Sequence, residues 1–119
     1  MGLFVVEKLV DDVMLVDLRG RVVLGEETEL LRVRLKRLLE EGHRRIVLNL
    51  QEVAYIDSSG LSTLITSFVS ARQQGGDVKL LRLTGRVSGV LQITKLSTVF
   101  EIYDTFEQAQ RSFSNPAEP

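Results

Sequence analysis

The centre of the chain reads AYIDSSGLSTLI, Ala54 to Ile65, and no other stretch restricts its fold as much. An apolar strand end runs into Asp57-Ser58-Ser59-Gly60, and a helical pattern begins at Leu61. Leu61, Leu64, Ile65, Phe68 and Val69 recur at spacings of three and four, one helical face that ends at Gly75-Gly76. A strand that passes directly into a helix belongs to neither an all-β nor an all-helical domain. It asks for a sheet with helices packed on it.

The flanking sequence repeats the alternation. Leu3 to Leu9 and Val13 to Leu18 are rich in valine and leucine, with Asp11-Asp12 as a tight turn between them. They read as a hairpin whose second strand stops at Gly20. A helix is predicted from Glu26 to Glu41, with Leu31, Leu35, Leu38 and Leu39 inward. Glu26, Glu27 and Glu29 favour its positive end, and Gly42 stops it. Strands follow at Ile46 to Leu50, Val78 to Leu83 and Val99 to Tyr103. A shorter helix spans Val87 to Lys95, with Val90 and Leu91 facing in. Asp104 and Glu107 fit a capping box for a last helix reaching about Phe113. The order is β-β-α-β-α-β-α-β-α. Right-handed crossovers then give an α/β fold with a mixed, mostly parallel sheet, one antiparallel hairpin strand at its edge and about four packed helices. Residues 1–113 form a single domain. Residues 114–119, SNPAEP, are a polar tail expected to be flexible.

Composition removes several classes of function. The 15 basic and 16 acidic residues leave a net charge of -1, without the basic excess of a nucleic-acid binder. With no cysteine and one histidine, His43, neither a disulfide framework nor a cysteine- or histidine-built metal site is available. No cofactor or metal is expected. No apolar run approaches the roughly 20 residues of a membrane-spanning helix, and the first residues do not read as a signal peptide. A cytoplasmic domain without membrane insertion is expected. No phosphate-cradling glycine loop occurs, and no G-x-S-x-G elbow surrounds a serine. His43, in a Gly-His-Arg-Arg turn, reads as a solvated loop residue rather than a base. An enzyme is not expected.

Asp57-Ser58-Ser59-Gly60 carries two readings. As structure, an aspartate or serine caps a helix start, a contribution of about 1 kcal/mol, and Gly60 permits close packing on the sheet. As function, a serine hydroxyl there is exposed at the positive end of a helix, where a phosphate is tolerated. Phosphorylation would add a charge of about -1.5 to -2 to that surface. Val22, Val23 and Leu24 also have two readings: cover for the sheet edge, or an exposed apolar patch beside Ser58.

The segment RRIVLNLQEVAYIDSSGLSTLI resembles the central signature of the STAS domain, in particular of the bacterial anti-sigma factor antagonists. The hairpin ending in Gly20, the Gly75-Gly76 turn, and the VFEIY strand followed by Glu107-Gln108-Ala109 agree with it. The resemblance covers Leu3 to about Phe113. It implies that Ser58 is phosphorylated by a serine kinase that is itself the anti-sigma factor. It implies that the unphosphorylated chain binds this kinase and releases sigma, and that a phosphatase acting on phospho-Ser58 restores binding. Asp57 would shape the partner surface and Ser59 would cap or support the loop, with Gly60, Val22, Val23 and Leu24 part of the same surface. Two positions depart from the family pattern: Ser62 replaces a glycine, and Gly20 to Gly25 lacks an acidic residue before Glu26. Two further functions go with such a domain. One is a non-switching scaffold or subunit of a signalling assembly or lipid-transport complex. The other is a sensor of a small ligand or nucleotide.

Overall fold

The computed structural model describes residues 2–114. In chain order it holds β1 (Leu3–Val10), β2 (Val13–Val22), α1 (Glu26–Glu40), β3 (Arg45–Ile56), α2 (Ser58–Gln73), β4 (Asp77–Leu81), α3 (Gly85–Ile93), β5 (Ile102–Tyr103) and α4 (Phe106–Ser114). A single 3-10 turn at Leu96–Thr98 joins α3 to β5. The five strands lie in sequence order. β1 and β2 are antiparallel, and the three remaining pairs are parallel. The α/β fold with a hairpin at the edge is the one the alternation predicts. Past Ser114, the tail predicted for 114–119 lies outside the described residues.

Helices α1, α2 and α3 cover one face of the sheet. Leu31, Leu35 and Leu38 of α1, Leu64 of α2 and Leu91 of α3 meet Val16, Leu18, Ile46, Leu48, Leu50 and Leu80 in the main core. Each fully buried aliphatic side chain of this kind contributes about 1.5–3 kcal/mol. Helix α4 lies alone on the opposite face, where Ala109 and Phe113 close a small second core over Val13, Val47 and Leu81.

Several boundaries differ from the sequence reading, each for a physical reason. Gly20 does not end β2. It sits inside the strand at φ 117°, and a Cβ there would lie 2.1 Å from the carbonyl oxygen of Gly2. Its role is close passage of two chain segments. β3 runs six residues beyond Leu50, to Ile56. Register shifts between Asp17 and Arg19 and between Gly20 and Arg21 each place one extra β3 residue opposite β2. Each bulge reverses the side-chain alternation, so the inward residues run Ile46, Leu48, Leu50, Val53, Ile56. On α2 the buried face is Gly60, Leu61, Leu64, Ser67 and Ala71; Val69, expected inward, is exposed. β4 ends at Leu81 because Arg82 adopts φ 53°. α3 begins at Gly85, since Thr84 Oγ1 accepts from the Val87 N–H at 3.3 Å. β5 is only Ile102–Tyr103, because the 3-10 turn occupies the residues ahead of it. The final capping box is shifted by one residue. Thr105 Oγ1 accepts from the Gln108 N–H, and Gln108 Oε1 accepts from the Asp104 N–H, both at 3.2 Å. Gly42 does stop α1: its N–H reaches the Leu39 carbonyl and the His43 N–H reaches that of Leu38, the paired bonds of a Schellman close.

Candidate functional site

Parallel strands bring their carboxyl ends to one end of the sheet. The loop after β2, the start of α2 and the start of α3 therefore share that end, where ligands of open α/β sheets usually dock.

Asp57 organises this end. It is the N-cap of α2, in extended conformation. Its Oδ1 accepts from the Gly60 N–H at 3.0 Å, and its Oδ2 accepts from the Leu24 N–H at 2.9 Å. Its own N–H donates to the Val22 carbonyl at 3.2 Å. One carboxylate thus ties the β2–α1 loop to the first turn of α2. Burial pushes the Asp57 carboxyl up, but the N–H groups of Gly60, Leu24 and Ser59 outweigh it and hold the group below the ordinary carboxylate range.

Because Asp57 takes the cap, the two serines are left with other positions. Ser58 is the first residue of α2 and is exposed. Among the described residues, its hydroxyl has no hydrogen bond. Ser59 is half-buried; its hydroxyl does not cap, although its carbonyl accepts from Thr63 Oγ1 at 3.1 Å. Gly60 is buried, and a Cβ there would lie 2.5 Å from the Val22 carbonyl oxygen and 2.8 Å from Ile56 Cγ2. The glycine is needed for closeness of approach, as the structural reading of the motif expected.

The segment 22–24 lies beside this turn, but its three side chains have different fates. Val22 is fully buried, so its place in an exposed apolar patch is corrected: it is the wall against which Gly60 rests. Val23 is half-buried, and Leu24 is 76% exposed. The apolar surface next to Ser58 is therefore mainly Leu24. Glu26, the first acid after the loop, opens α1 and is exposed.

The sequence reading missed two neighbours of this end. Thr84 donates to the Val53 carbonyl at 3.1 Å while capping α3, and so anchors that helix to β3. Arg86 lies 6.0 Å from the centroid of the Tyr55 ring. A threonine ahead of a glycine at a helix start was the available signal for the first; nothing marked the second.

The double role of Asp57 gives a measurable result. An amide offers one acceptor oxygen, so Asp57→Asn keeps one of the two backbone bonds. It is expected to lose about 1 kcal/mol. The pH dependence follows from the lowered carboxyl. Its contribution is complete above the unfolded value of about 3.9 and fades as pH falls through the lower folded value. Urea melts of both proteins from about pH 7 down to pH 3 should show the gap closing in acid. A gap that stays constant across that range would mean that the charge is not its source.

Comparison with known proteins identifies relatives of the chain as a whole. The STAS domain family matches residues 5–109. A candidate anti-sigma factor antagonist of Bordetella bronchiseptica, BtrV, is 30% identical over 104 residues, covering 87% of this chain and 89% of that one. The anti-sigma-B factor antagonist of Bacillus subtilis is 35% identical over 72 residues, 60% of this chain and 65% of the relative. The crystal structure of a candidate anti-sigma factor antagonist from Thermotoga maritima superposes with a TM-score of 0.85 at 28% identity, covering 91% of this chain and 92% of that one.

Proposed function

Since this chain belongs to the STAS domain family, we propose that it is an anti-sigma factor antagonist governed by phosphorylation of Ser58. In its unphosphorylated form it binds an anti-sigma factor with serine kinase activity, and sigma is released. Phosphate on Ser58 ends that binding, and a phosphatase acting on phospho-Ser58 restores it. Ser58, Leu24 and the half-buried Asp57, Ser59 and Val23 form the contact surface, with Gly60 and Val22 as its support.

The observation that carries this reading is the division of labour at the start of α2. Asp57 supplies the cap through its own oxygens, so the neighbouring exposed hydroxyl of Ser58 is spent on nothing. A serine retained as a cap would accept from a backbone N–H two or three residues on. The antagonist names of the Bordetella and Bacillus relatives support the same role.

The test is incubation with ATP and the anti-sigma kinase of the same organism, followed by mapping of the phosphosite. Label on Ser58 is the expected result. ATP alone is expected to give no stoichiometric label, because the chain has no phosphate-cradling glycine loop to hold the nucleotide. Labelling by ATP alone would overturn the partner scheme. Kinase binding without label on Ser58 would favour the non-switching scaffold.

A further inference from the structure

At the amino ends of β3 and β4, opposite the Ser58 end, the sheet carries a second feature. A basin of about 680 Å³ is lined by five cations, Arg44, Arg45, Arg72, Lys79 and Arg111, against two carboxylates, Asp77 and Glu101. The twelve residues of β3 span roughly 35 Å between the two ends, so the basin is separate from the antagonist surface.

The cations are unequally satisfied. Arg45 pairs with Asp12 on the β1–β2 turn, and Arg72 with Asp77 at 3.2 Å. Arg44 spends one N–H on the Leu39 carbonyl at 3.0 Å. Among the described residues, neither Arg44 nor Arg111 has a carboxylate partner. Lys79 is the most telling. Its residue is 4% exposed, on a face where a strand normally buries an apolar side chain. Its ammonium lies 2.7 Å from Ser112 Oγ, 3.0 Å from Glu101 Oε1 and 4.3 Å from the Phe113 ring centroid. An ammonium has three donors. Two go to these oxygens and the Phe113 ring faces the ammonium, so Lys79 is held in place as a buried positive charge at the basin wall.

We propose that this basin binds a small oligophosphate anion, with Lys79 at its floor and the guanidinium groups of Arg44, Arg72 and Arg111 around it. Guanidinium forks match phosphate oxygens in pairs, and a compact anion of several charges meets all of these groups at once. The site is independent of Ser58 and of the antagonist role.

Inorganic pyrophosphate is the probe, titrated calorimetrically into the full chain at low salt. Saturable binding in the submillimolar range is expected. Arg111→Glu changes an exposed residue of α4 and should weaken binding at least tenfold with the melting temperature retained. Lys79→Met, which keeps the length of the buried stem, should do the same in a chain whose folding is checked by melting. Arg19→Glu alters net charge equally but lies on β2 near the other end, and should leave binding unchanged. No saturation below about 10 mM would overturn the proposal, as would equal weakening by Arg19→Glu and Arg111→Glu.

Discussion

Ser58→Asp is expected to bind the anti-sigma kinase at least tenfold more weakly than the parent chain while melting at nearly the same temperature. The two halves of this result have different origins. Within the protein, a carboxylate at the first residue of α2 meets the positive end of the helix, a favourable term of about 0.3–1 kcal/mol. Repulsion from the adjacent Asp57 offsets part of it. At the proposed interface no such compensation is expected. An unpaired charge buried at a matched interface costs several kcal/mol, and about 1.4 kcal/mol already makes the tenfold difference. Ser58→Ala should bind and melt like the parent, because Asp57 and not Ser58 holds the cap. Ser59→Ala should still be phosphorylated at Ser58. Titration of each variant against the kinase, with thermal melts alongside, separates these effects. A folded Ser58→Asp chain that binds at full strength would reduce the whole motif to a helix start.

The other large effect is one of stability. Gly60→Ala places a methyl group 2.5 Å from the Val22 carbonyl oxygen and 2.9 Å from Val22 Cγ1. The nearer atom is backbone in β2 and cannot rotate away, so α2 must move. Alanine gains about 1 kcal/mol of helix propensity over glycine. Overpacking of a close contact costs about 1–3 kcal/mol. The displacement also pulls on the Asp57 bonds to Leu24 and Gly60. A net loss is therefore expected, seen as a fall of roughly 5–10 °C in melting temperature. A melting temperature equal to or above that of the parent would show that the turn has slack. Kinase binding should weaken too, because the loop carrying Leu24 shifts with the helix start.

Much of the architecture was legible because its signals are local. Strand and helix periods, the turn at Asp11-Asp12 and the stop at Gly42 all depend on neighbours within a few residues, and the observed elements keep that order. The errors fall where a distant segment decides. Gly20 reads as a terminator, yet the passage of Gly2 beside it keeps the strand going. Val22 stays open in the sequence between cover for the sheet edge and an exposed patch, and α2, packing over it through Gly60, decides for cover. The motif was legible as a strand-to-helix junction. Which of its three capping-type residues holds the cap was not, because the choice rests on the Leu24 N–H, supplied by a segment 33 residues away. Lys79 gave no signal at all, since a lysine in a strand looks like an outward residue until Ser112, Phe113 and Glu101 are folded against it.

The two bulges in β3 also govern which changes of length the strand can absorb. A strand has a reading frame of two, and any inserted or deleted residue turns everything downstream onto the wrong face. Here the frame is already shifted once near Gln51 and again at Ala54, where β3 carries residues that β2 does not match. Loss of either surplus residue would restore one-to-one pairing and leave Val53 and Ile56 inward. Loss of Leu48 or Asn49 would instead put the rest of the strand out of frame until a bulge was consumed to correct it. Natural length variation in this strand should therefore gather at those two positions, with the aspartate and serine that follow always delivered to the same end of the sheet.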